Sequence, residues 1–275
     1  PAVAVPALQN ARHGGPSCSS LVADGVASDY LELLRRSLAG ATAPFSTAYL
    51  VESHSRRNSR ATGVLVNSGY MRMRNLQCLL QDLGWRHVPG ELVEAGVWRG
   101  GVTIFMAGFN QAYNLSRGVW GFDSFMGVPS LASGVRDSEH DRGWPTNNTD
   151  LSVSFSQVQE HLKSFALDHR VRLVPGWFRD TLPGARSALT DRGGIALLRI
   201  DGDLYSSTWQ ILESLYPLVR RGGWVVFDDW QVHEARAAVL KYRMLHGIKE
   251  PITFHEGTLV YPVARWQKRK RDPLP

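Results

Sequence analysis

Two short apolar runs that end in aspartate constrain this sequence more than any other feature. Residues 197–203 have the sequence LLRIDGD, and residues 224–230 have the sequence WVVFDDW. Apolar runs of this length, rich in branched side chains, are typical of buried strands in a parallel sheet. Because ligands of open α/β folds bind beyond the carboxyl ends of the strands, we expect Asp201, Asp228 and Asp229 to meet at one site.

Three carboxylates held close together repel one another unless a cation lies between them. Oxygen ligands of this kind suit Mg²⁺, Mn²⁺ or Ca²⁺. A single aspartate at a strand end is as often only the N-cap of the following helix. Two in succession, at Asp228 and Asp229, exceed what one cap requires. The sequence therefore predicts a metal site made of these two residues and Asp201.

A glycine-rich turn lies earlier in the chain. Residues 91–101, ELVEAGVWRGG, predict a strand, a turn and the start of a helix. A side chain at Gly96 or Gly100 would block close approach of the backbone to a nucleotide-like ligand. The spacing is not that of the dinucleotide fingerprint, and such a turn is as often a tight connection without a ligand.

The strand predicted over residues 118–122 ends at Asp123 and Ser124. An acid at the end of the second strand is placed to accept the hydroxyl protons of a ribose. Together with the glycine-rich turn, this acid predicts a cofactor that contains a nucleoside. Trp177, just past a third strand, is a candidate to lie against a flat heterocycle, with a core position as the alternative.

A long polar segment, about residues 127–150, contains glycine and proline among charged residues. A loop of this length is uncommon in a compact domain, and we expect it to be a substrate lid. Glu139 and His140 are candidates to touch the substrate or transfer a proton, although a solvated position would also explain both charges.

The order of elements predicts an α/β sandwich in one large domain. An accessory helix over residues 30–38 and an amphipathic helix over residues 71–83, ended by Gly84, precede the glycine-rich turn. Strands and helices then alternate, with a turn over residues 220–223. The sheet closes with an antiparallel hairpin formed by residues 252–254 and 258–261.

Composition excludes several classes of partner. The chain has 275 residues and a formal charge of +6. Much of the basic excess lies in residues 265–271, which we expect to be a solvated tail, so no nucleic-acid binding is inferred. No apolar run approaches the roughly 20 residues of a membrane span. Cys18 and Cys78 are too few for a disulfide framework. We therefore expect a soluble, cytoplasmic protein without a membrane partner.

Five blocks of the sequence, in order, resemble the macrocin O-methyltransferase family. They are residues 94–101 (EAGVWRGG), 121–125 (GFDSF), 174–178 (VPGWF), 201–208 (DGDLYSST) and 227–230 (FDDW). The resemblance covers about residues 65–265. It implies a class I S-adenosylmethionine-dependent methyltransferase fold, Rossmann-like, with seven strands of which the last is antiparallel, plus N-terminal accessory helices and a lid loop.

The resemblance also implies an activity, which is transfer of a methyl group from S-adenosylmethionine to a sugar hydroxyl of a glycosylated natural product. This is a tailoring step in antibiotic biosynthesis that uses Mg²⁺ or Mn²⁺. The domains would be a leader and accessory segment (1–69), the methyltransferase domain (70–265) and a basic tail (266–275). Self-association is an expectation by analogy alone.

The resemblance assigns roles to individual residues. Glu94, Gly96 and Arg99 would line the methionine side of the cofactor, and Asp123 would hold the ribose hydroxyls, with Ser124 and Trp177 nearby. The metal held by Asp201, Asp228 and Asp229 would chelate two neighbouring sugar hydroxyls, and Asp201 would also be the general base.

Two other enzyme classes stay open at this point. A catechol-type phenolic O-methyltransferase would use a similar metal and cofactor arrangement. A dinucleotide-dependent oxidoreductase would use a glycine turn and a strand-end acid, but it leaves the three carboxylates unexplained.

Overall fold

A sheet of seven strands forms the centre of the described part of the chain, which comprises residues 25–39, 65–66, 69–130, 139–141, 151–254 and 262–269 of the computed structural model. The strands are β1 (Glu91–Ala95), β2 (Val119–Asp123), β3 (Val171–Pro175), β4 (Ile195–Ile200), β5 (Val219–Phe227), β6 (Thr253–Phe254) and β7 (Ala264–Gln267). Their order across the sheet is β3-β2-β1-β4-β5-β7-β6.

Strands β1 to β5 are parallel, whereas β7 is antiparallel to both β5 and β6. This arrangement confirms the predicted fold class. The strand order reverses at β1, which lies between β2 and β4. In open α/β sheets the ligand crevice forms at such a reversal, outside the carboxyl ends of the strands.

Helices cover both faces of the sheet. They are α1 (Val26–Leu38), α2 (Gly69–Trp85), α3 (Gly101–Ala112), α4 (Phe155–Ser164), α5 (Phe178–Asp191), α6 (Tyr205–Leu215) and α7 (His233–Leu245). Apolar residues of α1 to α4 pack with one set of strand residues, including Leu92 and Leu197, and those of α5 to α7 pack with the alternate set, including Val93 and Leu198. Among the described helices none is long and apolar enough to cross a membrane.

A predicted helix end and a predicted turn lie within regular elements. Helix α2 does not end at Gly84 but continues to Trp85, because a glycine costs a helix only about 1 kcal/mol and its neighbour Leu83 is anchored in the core. Residues 220–223 lie within β5. Gly222 N–H donates to the carbonyl of Lys268 at 2.7 Å, and Lys268 N–H donates to that of Gly223 at 2.9 Å, so pairing beyond β7 extends the strand.

One of the closing strands, β7, lies in the part of the sequence that was expected to be a basic tail. β6 pairs with β7, whereas the expected partner, residues 258–261, lies outside the described residues together with the rest of 255–261. Trp266 of β7 is fully buried. Lys268, which the sequence places in a solvated tail, is 3% exposed. Its Nζ donates to the carbonyls of Tyr216 and Pro217, which satisfy the buried ammonium group.

Within the predicted leader and accessory segment (1–69), residues 1–24, 40–64 and 67–68 lie outside the described residues. The same is true of the predicted lid except for residues 127–130 and 139–141.

Candidate active site

The carboxyl ends of β4 and β5 bring three aspartates together. These strands are parallel neighbours, and Asp228 N–H donates to the carbonyl of Ile200 at 3.0 Å, which fixes their register at the ends. One carboxylate oxygen of each of Asp201, Asp228 and Asp229 lies within 4.8 Å of the others. The juxtaposition expected from the strand-end pattern is therefore present.

Two arginines that the sequence reasoning missed contact this carboxylate cluster, defined as Asp201, Asp228 and Asp229. Arg199 of β4 is buried, and its Nη1 donates to Glu94 Oε1 and to Asp201 Oδ2, both at 2.7 Å. Its Nη2 lies 2.9 Å from Asp228 Oδ1. From helix α2, Arg72 Nη1 donates to Asp228 Oδ2 at 2.7 Å.

The cluster carries more negative than positive charge. Counting Glu94, four carboxylates face two guanidinium groups, and Asp203 adds a further carboxylate beside Asp229. The formal surplus is therefore at least two negative charges when all the acids are ionised. A divalent cation would offset such a surplus, and carboxylate oxygens are the donors that Mg²⁺ prefers. The donor set present therefore fits the metal that the resemblance implies.

The charge surplus and burial raise the pKa values of the acids. The pKa of Asp229 is raised well above its ordinary value by burial and by the carboxylates of Asp203, Asp201 and Asp228. Burial also raises the pKa of Asp201, against the opposing charge of Arg199. For Glu94, burial raises the pKa to about 7 although Arg199 opposes the rise. A cation brought into the cluster would favour the ionised form of each acid.

The loop after Asp201 is folded towards the cluster. Asp203 N–H donates to Asp229 Oδ2 at 2.9 Å, and Asp203 has a φ of 60° in the left-handed region. A non-glycine residue there costs on the order of 1 kcal/mol or more. The hydrogen bond to Asp229 helps to hold this conformation.

The glycine turn after β1 touches the end of β4 directly. Gly96 has a φ of 97°, and its N–H donates to the carbonyl of Phe122 at 2.9 Å. A Cβ at Gly96 would lie 1.8 Å from the backbone oxygen of Asp201. The chain's own backbone therefore requires glycine here, and the turn and the carboxylate cluster share one contact point.

Asp123 braces the same turn from β2. Its Oδ2 accepts hydrogen bonds from Val97 N–H at 2.7 Å and Trp98 N–H at 3.1 Å, and its Oδ1 accepts one from Phe125 N–H at 2.8 Å. Burial raises the pKa of Asp123, and these N–H groups oppose the rise. Ser124 closes a local turn, with its hydroxyl donating to the carbonyl of Gly127 at 2.8 Å.

The other predicted cofactor residues differ in their depth of burial. Glu94 is 1% exposed and accepts hydrogen bonds from Thr103 and Arg199, so it lies between the turn and the carboxylate cluster. The Arg99 guanidinium lies 4.5 Å from the ring centroid of Trp98. Trp177 is half-buried immediately before α5.

Of the two residues predicted to touch the substrate or transfer a proton, Glu139 is exposed and His140 is half-buried. The His140 ring stacks on Tyr205 of α6, with ring centroids 4.0 Å apart. The neighbouring Asp141, which the sequence reasoning passed over, is fully buried. Its carboxylate accepts hydrogen bonds from the first backbone N–H groups of α6.

Comparison with known proteins matches the chain to one family. The model for macrocin-O-methyltransferase (TylF) matches residues 32–267, most of the chain. The chain belongs to this family. It is accordingly an S-adenosylmethionine-dependent O-methyltransferase, as the resemblance implied.

Relatives of this macrocin O-methyltransferase family member cover most of its length. The 8-demethyl-8-(2,3-dimethoxy-alpha-L-rhamnosyl)-tetracenomycin-C 4'-O-methyltransferase of Streptomyces olivaceus is 40% identical over 70% of this chain and 73% of its own. The mycinamicin III 3''-O-methyltransferase of Micromonospora griseorubida is 34% identical over 84% of this chain and 94% of its own. The solved structure of the O-methyltransferase NovP has a TM-score of 0.74 and 33% identity, over 89% of this chain and 100% of that one.

Proposed function

We propose that this macrocin O-methyltransferase family member moves the methyl group of S-adenosylmethionine to a sugar hydroxyl of a glycosylated natural product. A divalent cation, Mg²⁺ or Mn²⁺, would be held by Asp201, Asp228 and Asp229. The observation that carries this proposal is the close approach of these three carboxylates, within 4.8 Å, beside the Gly96 turn. Donor and acceptor sites would then share one edge of the sheet.

The names of the relatives support a sugar as acceptor. One acts on a rhamnosyl group and another is named for position 3'' of mycinamicin III. In the substrate of the rhamnosyl relative, the oxygen that accepts the methyl group is O4', and positions 2 and 3 already carry methoxy groups. The oxygen next to the accepting hydroxyl is therefore an ether in that substrate. We accordingly propose that the acceptor offers two neighbouring oxygens, of which only one must be a free hydroxyl.

Asp201 is the best placed of the three aspartates to act as general base. Its side chain is 28% exposed, compared with 11% for Asp228, so an acceptor can reach it. An aliphatic hydroxyl is too weak an acid to ionise alone, and a bound divalent cation supplies the missing acidity. The Asp201 carboxylate takes the proton, and Arg199, 2.7 Å away, fixes its orientation.

The cofactor would lie along the turn after β1. Gly96 and Arg99 would border its methionine part, with the buried Glu94 behind them. Asp123 already accepts backbone N–H bonds, and a carboxylate has lone pairs for further donors such as ribose hydroxyls. Ser124 and Trp177 would border the nucleoside.

The test is isothermal titration of S-adenosylmethionine and of its demethylated product into the protein, each with Mg²⁺ and with EDTA. We expect both to bind in both buffers, because the glycine turn and the carboxylate cluster use different residues. We expect turnover of rhamnosylated acceptors only with Mg²⁺ or Mn²⁺. Absence of cofactor binding in every buffer, or turnover of catechol but not of glycosides, would overturn the proposal.

A cytoplasmic location and self-association stay predictions from the sequence. The partner that we propose is the glycosylated small molecule.

A further inference from the structure

Helix α6 begins directly after the loop that follows Asp201, and a distant residue caps it. Asp141 Oδ1 accepts a hydrogen bond from Tyr205 N–H at 2.7 Å, and its Oδ2 accepts one from Ser206 N–H at 3.2 Å. Asp141 is 0% exposed and lies 64 positions before Tyr205 in the chain. The cap therefore joins the segment after β2 to the edge of the carboxylate cluster.

The start of α6 needs this cap. The residue at the N-cap position is Leu204, whose side chain has no acceptor. Tyr205 and Ser206 are buried, so water does not replace a missing partner for their N–H groups. An unsatisfied buried N–H costs about 1–3 kcal/mol, and a carboxylate at a helix N-terminus gains further from the helix dipole.

The loop of residues 201–204 is held by carboxylates at two points. Asp141 binds the backbone just after it, and Asp229 binds the N–H of Asp203 within it. Asp203 adopts a left-handed conformation with a φ of 60°. Such a conformation persists only when its surroundings hold it. Movement of the α6 start would therefore displace Asp203 and, with it, the position of Asp229 relative to Asp201.

The residue before Asp141 strengthens the same junction. The His140 ring stacks on the Tyr205 ring at a centroid distance of 4.0 Å and an interplanar angle of 17°. Tyr205 also lies parallel to Trp209 one turn further along α6. Residues 140 and 141 thus contact both the side chain and the backbone of Tyr205.

We infer that Asp141 is a positioning residue for metal binding, which acts by capping α6 and thereby fixing the loop of residues 201–204. This inference rests on the proposed function, in which Asp201 and Asp229 hold the metal. Asp141 would thus contribute to metal binding from outside the carboxylate cluster, on the segment that also carries Glu139 and His140.

The test uses Asp141→Ala and Asp141→Asn with Mn²⁺ as the probe. We expect Asp141→Ala to raise the Kd for Mn²⁺ at least tenfold while the Kd for S-adenosylmethionine changes less than twofold. Asp141→Asn should be intermediate, because its amide oxygen replaces only one of two acceptors. High Mn²⁺ concentration should restore much of the kcat of both variants.

The matched control is Asp82→Asn. Asp82 is also a buried carboxylate, but it accepts the indole N–H of Trp224, three residues before Phe227 at the end of β5. We expect this variant to lose stability without a change in the Kd for Mn²⁺. An unchanged Kd in the Asp141 variants, or an equal rise in the Asp82 variant, would overturn the inference.

A second readout does not depend on metal. In EDTA, Asp141→Ala should speed amide hydrogen exchange of residues 203–206 at least tenfold more than exchange elsewhere in α6. If the alanine variant fails to fold, Asp141→Asn gives the same readout. Unchanged exchange at these amides would contradict the inference. If the wild-type protein binds no Mn²⁺ while exchange is still faster in the variant, the metal proposal is overturned together with the role of Asp141 in metal binding. The cap on α6 would then fix the loop of residues 201–204 without serving a metal.

Discussion

The two halves of the candidate active site stabilise the negative charge of their acids in different ways. At the ends of β1 and β2, Asp123 accepts hydrogen bonds from three backbone N–H groups, whose dipoles stabilise its charge. At the ends of β4 and β5, Asp201 and Asp228 form ion pairs with Arg199 and Arg72, and the carboxylate cluster still has surplus negative charge. The first half therefore offers polar groups to an organic ligand, whereas the negative charge of the second half favours a cation, in line with the proposed function.

This difference predicts that the halves respond separately to substitution. Changes at the β4 and β5 ends should alter metal binding and turnover, and changes at β2 should alter cofactor binding. The exception is Gly96, where the turn touches the backbone of Asp201 and a side chain would disturb both halves.

The largest effect is expected for Asp201→Asn. The variant removes both the proposed general base and one charge of the carboxylate cluster, so kcat should fall about 10³-fold. Calorimetry should find the Kd for S-adenosylmethionine within about threefold of wild type. A loss of cofactor affinity that matches the loss of rate would contradict the assignment of Asp201 as base.

A pH titration of Glu94→Gln in EDTA tests the buried carboxylate that lies between the two halves. Because the pKa of Glu94 rises from its ordinary 4.5 to about 7 in the folded protein, folding favours its protonated form. Its contribution to the free energy of unfolding is fully present below pH 4.5 and is lost as the pH rises to about 7. The advantage of wild type over the variant should shrink by about 3 kcal/mol across this range. Urea denaturation at several pH values measures the difference in the free energy of unfolding between wild type and the variant. A difference that does not change with pH would contradict the prediction.

Arg72→Gln should increase the surplus negative charge of the carboxylate cluster. Asp228 would lose one of its two guanidinium partners, so the metal-free protein should lose about 2 kcal/mol of stability. The rise in Tm on adding Mg²⁺ should be larger than in wild type, because the cluster becomes more negative. Arg86, which directly follows α2, forms an ion pair with Asp82 of that helix. Arg86→Gln is the control and should leave the Mg²⁺ effect unchanged. An equal Mg²⁺ shift in wild type and Arg72→Gln would mean that Arg72 does not influence the metal site.

The smallest effect is expected for Asp123→Asn. The amide keeps one acceptor oxygen and directs an NH₂ group towards backbone donors, so cofactor affinity should fall about tenfold, or about 1.4 kcal/mol. The Kd for Mn²⁺ should stay within twofold of wild type. Parallel loss of both affinities would show that the two halves are not independent.

The sequence predicts those parts of the site that depend on local pattern. Strand-end acids are recognisable because β-branched runs mark the strands, and parallel strands end at the same edge. Arg199 also had a signal, since it is a charged residue inside an otherwise apolar strand. Its role depends on which acids surround it, and that follows from strand order.

Arg72 and Asp141 have no comparable signal. Arg72 lies 156 residues from Asp228, and Asp141 lies 64 residues from Tyr205, in segments whose local pattern is that of an ordinary helix and a charged loop. Only tertiary packing brings them to the site. Strand β7 was missed for another reason. Polar residues alternate with the buried Ala264 and Trp266, and the strand therefore resembled a basic tail.

The position of β7 between β5 and β6 has a consequence for synthesis of the protein. β6 leaves the ribosome before the strand that it pairs with, and the edge of β5, with Val225, Val226 and Phe227, stays uncovered until β7 emerges. An exposed apolar strand edge is a template for aggregation. Nascent chains stalled before Ala264 should therefore depend on chaperones, even though the carboxylate cluster and the glycine turn have already been translated.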